Sequence, residues 1–401
     1  MCQAQRVTQS GVDVQRTNSK SERRRLILGA CKEHLISGSG SGDAQRLKKL
    51  INGGSRTIVT GGDIDGLVSA QMLSSVTGWR VGAVVWGDEA SVHPDLLNRS
   101  GTWQGFDDAA NELFLIDLFS PQIPGVSNHP VLWGRRHRGS NKDFGDLAKY
   151  FDDRIKDSLE GQLLGCPSLW VGIEGSLAAS GDADKETALQ YKYPLGTAQI
   201  LLALLEAAEY PPMLADREYL PWLIAHCDGG LNSLRQYHWN ASLWWSMIAG
   251  CIGPQSRSEL IYRVATECLP LDFVKLDRQL KHEEADAKEY LDENWNLAPS
   301  GDPSAFRSIV ALVERLSGWD DPLEGGAENL PEWKKVKLER GGLRSQGSLG
   351  NTDTEIQKEL VTVSSNFDDA FNALSMGFTQ FSEFKGLAWT MPWWANRGTG
   401  S

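Results

Sequence analysis

At 401 residues, with 41% hydrophobic and 23% charged side chains, the chain has the balance of a folded protein and length enough for two ordinary domains, which excludes wholesale disorder. A formal net charge of -12 opposes broad, non-specific attraction to nucleic acid, which depends on Lys and Arg displacing counterions from phosphates. The six cysteines (Cys2, Cys31, Cys166, Cys227, Cys251, Cys268) form no CxxC pair, so neither a zinc ribbon nor a disulfide framework is expected, and they read as reduced and mostly buried.

The first twenty residues are polar, lack hydrophobic periodicity and have no apolar signal-peptide core, so residues 1–20 read as a disordered arm. No later run approaches the roughly 20 apolar residues that span a bilayer, so a cytoplasmic protein without membrane contact is expected. Ser21 to His34 reads as a helix capped by Ser21, and the Gly-Ser alternation from Ser37 to Gly42 as a flexible linker, so that 21–54 form an N-terminal appendage. From Arg56 the pattern becomes strand, loop, helix, repeated. Arg56 to Thr60, Trp79 to Trp86, Glu112 to Asp117, His129 to Trp133 and Ser168 to Ile173 are buried-strand candidates, and Gly66 to Thr77 is an apolar helix. Short strands alternating with helices, without hairpin turns between them, predict an α/β fold: a mostly parallel sheet with helices on both faces. A helical region follows, over Gly196 to Glu209, Asp216 to Cys227, Leu231 to Gly250 and the charged stretch Asp277 to Asn294. The α/β domain with its helical extension is placed at 55–298, a Gly-, Pro- and charge-rich boundary at 299–350, and a smaller C-terminal segment at 351–401 with a helix around Glu355 to Met376.

The stretch richest in chemistry is Thr57-Ile-Val-Thr-Gly-Gly-Asp-Ile-Asp-Gly-Leu-Val-Ser-Ala70. A strand ends in a Gly-rich turn, two carboxylates one residue apart follow, and a helix begins. Asp63 and Asp65 at a strand's carboxyl end have the hard oxygen donors that Mg²⁺ or Mn²⁺ prefers. The same residues are equally suited to the turn before a helix, where aspartate caps the N-terminus.

This stretch resembles the first motif of the DHH phosphoesterases, the family of RecJ-type exonucleases and nanoRNases, which reads roughly H/D-x-D-x-D-G-x-x-S-A. Asp63, Asp65, Gly66, Ser69 and Ala70 match, while Gly61 stands where the family has a His or Asp ligand. The family's second motif, a lone Asp ending a strand, is matched by Asp117 after Leu113-Phe-Leu-Ile116. Its third motif, Asp-His-His after another short strand, is matched in place by Arg135-Arg136-His137, where only His137 retains the family residue. A fourth, an Asp closing a helix, is matched by Asp228. The resemblance spans about Arg56 to Leu231 and implies that Asp63, Asp65, Asp117, His137 and Asp228 hold one or two Mn²⁺ or Mg²⁺ ions. It further implies that Asp65 and His137 serve catalysis, His137 as ligand or in assisting the leaving group. Arg135, Arg136 and Arg138 would bind substrate phosphate, a task the planar guanidinium suits.

The implied function is a metal-dependent phosphodiesterase acting on a nucleic acid or small nucleotide: single-stranded DNA, short RNA, a cyclic dinucleotide or pyrophosphate. The alternative, supported by Gly61 and by two arginines beside a would-be cation, is a catalytically degenerate DHH-fold protein serving as a binding or scaffold subunit. The 15 tryptophans are compatible with a protein partner and with core packing alike. A haloacid-dehalogenase-like phosphatase also begins strand-DxDG, but takes Thr after the Gly, where this chain has Leu67. No GxxxxGK[ST] or GxGxxG loop opens a helix after a strand, which disfavours P-loop and dinucleotide enzymes.

Overall fold

The computed structural model describes residues 20–36, 41–87, 89–104, 106–130, 153–176, 195–214, 219–227, 238–259, 262–263, 303–326, 332–338, 340–344, 378–383, 386–390 and 393–394. The chain is an α/β protein built on a mixed, mostly parallel seven-stranded sheet of order β6-β5-β4-β1-β2-β3-β7. The strands are β1 Thr57–Gly61, β2 Arg80–Trp86, β3 Glu89–Val92, β4 Leu113–Ile116, β5 Gly125–Val126, β6 Leu163–Leu164 and β7 Lys334–Lys337. β6 through β2 run parallel, while β3 is antiparallel to both β2 and β7.

Both sheet faces are covered, which the strand residues encode by alternation. Ile58, Val81, Val84, Phe114 and Ile116 belong to one apolar cluster, whereas Val59, Ala83, Val85, Leu113 and Leu115 belong to the other. With period two, each strand feeds both cores, so nearly every central position is apolar. The first cluster receives α1 Lys20–Cys31, α2 Asp43–Asn52, α3 Ile64–Thr77, α6 Pro167–Ser176, α7 Thr197–Ala207, α8 Tyr219–His226, α9 His238–Ile252 and α10 Pro303–Ser317. The second lies under the short helices α4 Pro94–Ser100 and α5 Phe106–Glu112.

Helix α3 is the central one, with every residue from Ile64 to Ser74 buried. Asp63 accepts a hydrogen bond from the Gly66 N–H at 2.9 Å to start it, and Gly78, at φ 70°, ends it in the left-handed conformation that glycine adopts without strain. Gly66 lies so close to the end of β1 that a Cβ there would sit 2.5 Å from the Gly61 carbonyl oxygen. Glycine is what lets the helix follow the strand so tightly.

Several elements differ from the sequence-based expectation. β2 and β3 are joined by a tight turn with Gly87 at φ 56°, so the sheet contains a hairpin and is mixed. Ser168 to Ile173 lies within helix α6: Pro167 occupies the first helical turn, and a short apolar run is equally compatible with a buried helix or a strand. The strand beside β4 is the two-residue β5 at Gly125–Val126, and of the strand expected at His129 to Trp133, residues 131–133 lie outside the described residues. Within 299–350, expected to be loop-rich, α10 is an amphipathic helix burying Phe306, Ile309, Val310, Val313 and Leu316, and β7 completes the sheet edge. The arm 1–19, the linker residues 37–40, and the helices expected at Asp277 to Asn294 and Glu355 to Met376 lie outside the described residues.

A second, antiparallel sheet of order β8-β10-β9 (Arg340–Arg344, Gly386–Thr390, Phe378–Glu383) occurs in the C-terminal part. Beyond it, Trp393 donates to Ser100 Oγ at 3.0 Å and Trp394 packs edge-on against Trp103 at 5.0 Å between ring centroids. Of the described tryptophans, Trp79, Trp170, Trp244, Trp245, Trp319, Trp333, Trp393 and Trp394 are buried in packing, while Trp86 and Trp103 are partly exposed.

Candidate functional site

The chain passes from β1 to its neighbour β2 on one side, then crosses to place β4 on the other side of β1. The carboxyl ends of β1 and β4 therefore flank a topological switch point, the place where open α/β sheets form a crevice for ligands. Asp63 follows β1 and Asp117 follows β4, so both reach this point, and Asp65 enters it from the first turn of α3.

The three aspartates are joined through the N-terminus of α7. Asp65 is fully buried, and its two oxygens accept the backbone N–H groups of Thr197 at 2.7 Å and Ala198 at 2.8 Å. The positive end of that helix stabilises a buried carboxylate, and the carboxylate satisfies two N–H groups that have no partner within the helix. The Thr197 hydroxyl donates to Asp117 Oδ1 at 2.7 Å and lies 3.2 Å from Asn128 Oδ1, while the Asn128 amide donates to the Leu195 carbonyl at 2.7 Å. His129 Nε2 stands 3.0 Å from Asp117 Oδ1. Burial pushes the Asp117 carboxyl up, but the charge and hydrogen bond of His129, the Thr197 hydroxyl and a hydrogen bond from Asp63 outweigh it, so the net direction is down.

Asp117 has φ 58°, the left-handed region that aspartate enters more readily than most side chains, and the turn aims its carboxyl back toward β1. A Cβ at Gly61 would lie 3.0 Å from Asp117 Oδ2. The missing side chain at position 61 is thus matched by the close approach of Asp117: a His or Asp there would have to displace it.

Of the sequence-derived site residues, Asp63, Asp65 and Asp117 come together; His137, Asp228, Arg135, Arg136 and Arg138 lie outside the described residues. His129, Asn128 and Thr197 were not singled out from sequence. The strand next to β4 is β5, and the residues directly after it are Ser127-Asn128-His129, so the position following that strand carries Ser, Asn and His. Only a two-residue strand marks the spot, too little for periodicity to reveal. The signal at Thr197 was stronger, a Gly-Thr pair opening a long apolar helix, with Gln199 closing the turn by accepting the Gly196 N–H and donating to the Ile224 and Cys227 carbonyls at 2.6 and 2.9 Å.

A divalent ion of the kind the DHH resemblance implies would need several free carboxylate lone pairs facing one point. Among the described residues no three of His, Cys, Asp and Glu form a group arranged to hold a metal ion. Asp65 has both oxygens turned to a helix N-terminus, and Asp117 is bonded to Thr197 and faces His129. Taken by themselves, the described residues do not fit the implied dinuclear centre.

A second polar centre lies apart from this one. Asp43, the buried first residue of α2, accepts from Trp170 Nε1 at 2.7 Å, Gly165 N at 2.9 Å and Arg46 at 3.1 Å, with His34 Nδ1 at 3.2 Å. His34 stacks on Trp170 at 4.9 Å, beside a cavity of about 460 Å³. Burial pushes the Asp43 carboxyl up, and the hydrogen bond and charge of His34, with Trp170 and Arg46, more than offset it, so it lies below the usual carboxylate range. The centre ties the N-terminal helices to β6 and α6.

Among the described residues no helix is long and apolar enough to cross a membrane. Comparison with family models, with curated proteins and with solved structures finds no match, so the DHH resemblance rests on the residues of this chain alone.

Proposed function

We propose that the chain is a catalytically reduced, DHH-like α/β protein that acts as a binding or scaffold subunit, its motif aspartates having been taken over for structure. The observation that carries this reading is Asp65, whose two oxygens both hold the N-terminus of α7. Two further features support it. Gly61 brings no donor to the centre and packs against Asp117, and of Ser127-Asn128-His129, the residues after β5, only His129 carries a ring nitrogen toward Asp117. Asn128 is engaged with Leu195 and Thr197. The switch-point crevice is the place where a nucleotide or a nucleic-acid phosphate would dock, with Arg135, Arg136 and Arg138 close by in sequence; a net charge of -12 makes a protein partner the competing ligand class.

One observation favours the second reading, a Mn²⁺- or Mg²⁺-dependent phosphodiesterase: Asp63 and His129 both stand against the Asp117 carboxyl beyond the strand ends. The discriminating experiment is an assay of the full chain on bis-p-nitrophenyl phosphate and a short single-stranded oligonucleotide, with and without Mn²⁺ or Mg²⁺. No metal-dependent turnover is expected. Turnover that requires the metal and disappears in Asp63→Asn would overturn the scaffold reading in favour of the enzyme.

A further inference from the structure

Cys31 ends α1 and Cys251 lies in the last turn of α9, a helix packed along α1. Both are free thiols; Cys31 is fully buried, Cys251 is partly exposed, and across the packed helices each thiol shifts the titration of the other. Neither takes part in the carboxylate cluster or in the Asp43 centre. We propose that Cys31 and Cys251 form a reversible dithiol–disulfide site, in which the accessible Cys251 attacks an oxidised low-molecular-weight disulfide and the buried Cys31 resolves the adduct.

Thiol–disulfide exchange needs a thiolate that the oxidant can reach and a second thiol near enough to finish the reaction. The hydrogen bond from Cys31, opposed by burial and aided by the Lys32 ammonium, brings Cys251 down to about 7, within the range where a useful fraction is thiolate at neutral pH. The same hydrogen bond, together with burial, holds Cys31 well above its ordinary value, so it stays protonated until Cys251 has reacted. The other described thiols lack this arrangement. Cys166 is buried, donates to the Pro130 carbonyl at 3.3 Å and is pushed up to about 12, and Cys227 donates to the Leu223 carbonyl at 3.2 Å.

With oxidised glutathione the steps balance. The Cys251 thiolate forms a bond to one glutathione sulfur, the glutathione disulfide breaks, and one glutathione thiolate leaves. Cys31 then loses its proton to solvent and attacks the Cys251 sulfur of the mixed disulfide, expelling the second glutathione. Two protein thiols are oxidised and one glutathione disulfide is reduced to two thiols. The new bond would clamp α1 to α9 across more than half of the chain, which restricts the unfolded ensemble and raises stability.

The test equilibrates the full chain in glutathione buffers of graded oxidation, alkylates the remaining thiols and maps them by mass spectrometry. In the wild type, Cys31 and Cys251 should lose alkylation together and appear as one cross-linked peptide pair, reversibly with dithiothreitol, and the oxidised chain should melt several degrees higher. Cys31→Ser should instead accumulate a glutathione adduct on Cys251. Should that variant fail to fold, native alkylation rates of the wild type decide alone, Cys251 reacting about tenfold or more faster than Cys166. A stable glutathione adduct on wild-type Cys251 without cross-link, full alkylation of both thiols at every buffer ratio, or oxidation of Cys166 or Cys227 first would each overturn the proposal.

Discussion

Replacing Asp65 by Ala tests whether this carboxylate holds the fold together. The side chain is 0% exposed and accepts two backbone N–H groups, at 2.7 and 2.8 Å, from Thr197 and Ala198. Hydrogen bonds to a charged group are worth about 1.5–3 kcal/mol each, and part of that is offset because the buried carboxylate no longer has to be desolvated. The two N–H groups are left buried without partners, so the net loss is about 3–5 kcal/mol. Against a total of about 5–15 kcal/mol for a natural domain, this is a large fraction. Urea unfolding followed by tryptophan fluorescence should show a midpoint far below wild type, with α7 the first element to lose amide-exchange protection. Asp65→Asn, which keeps one acceptor and the shape, should lose less. A loss under about 1 kcal/mol for Asp65→Ala would refute the structural role.

Asp43 should make stability pH-dependent. Its folded value is lowered, so the stabilisation is fully present above the unfolded value near about 4 and is lost as pH falls through the still lower folded value; acid titration should therefore destabilise wild type below about pH 4 more steeply than Asp43→Asn. Gly66→Ala sets a Cβ 2.5 Å from a backbone oxygen that cannot rotate away, so α3 must shift, and thermal melting should register a loss of about 2–3 kcal/mol. Thr197→Val keeps the shape and removes the hydroxyl that Asp117 accepts at 2.7 Å; in a double-mutant cycle with Asp117→Asn the two should couple by about 1 kcal/mol or more, and additive losses would argue against the contact.

The first motif was legible because local chemistry fixes it: a β-branched strand, two glycines, an aspartate cap and a small-residue helix leave little choice at residues 57–77. The apolar strands β2 and β4 were legible for the same reason. α6 was not, since Ser168-Leu-Trp-Val-Gly-Ile173 has strand-forming residues, and its helical state depends on Pro167 and on partners such as Asp43, remote in sequence. β5 was missed because a two-residue strand is defined by its neighbours β4 and β6. With no periodicity at β5, the contact of His129 with Asp117 carries no signal in the sequence. The roles of Asp63 and Asp65 were separable only in three dimensions: Asp63 caps its own helix, as its sequence position allows, while Asp65 caps a helix more than a hundred residues away, a partnership no local pattern encodes.

The most direct test is a calorimetric titration of the full chain with Mn²⁺. If the motif carboxylates are committed to the fold, no saturable binding appears up to millimolar concentration, and the melting temperature does not move with added metal. Saturable binding that raises the melting temperature and is lost in both Asp63→Asn and Asp117→Asn would contradict this, and would mean that the crevice holds a metal ion after all.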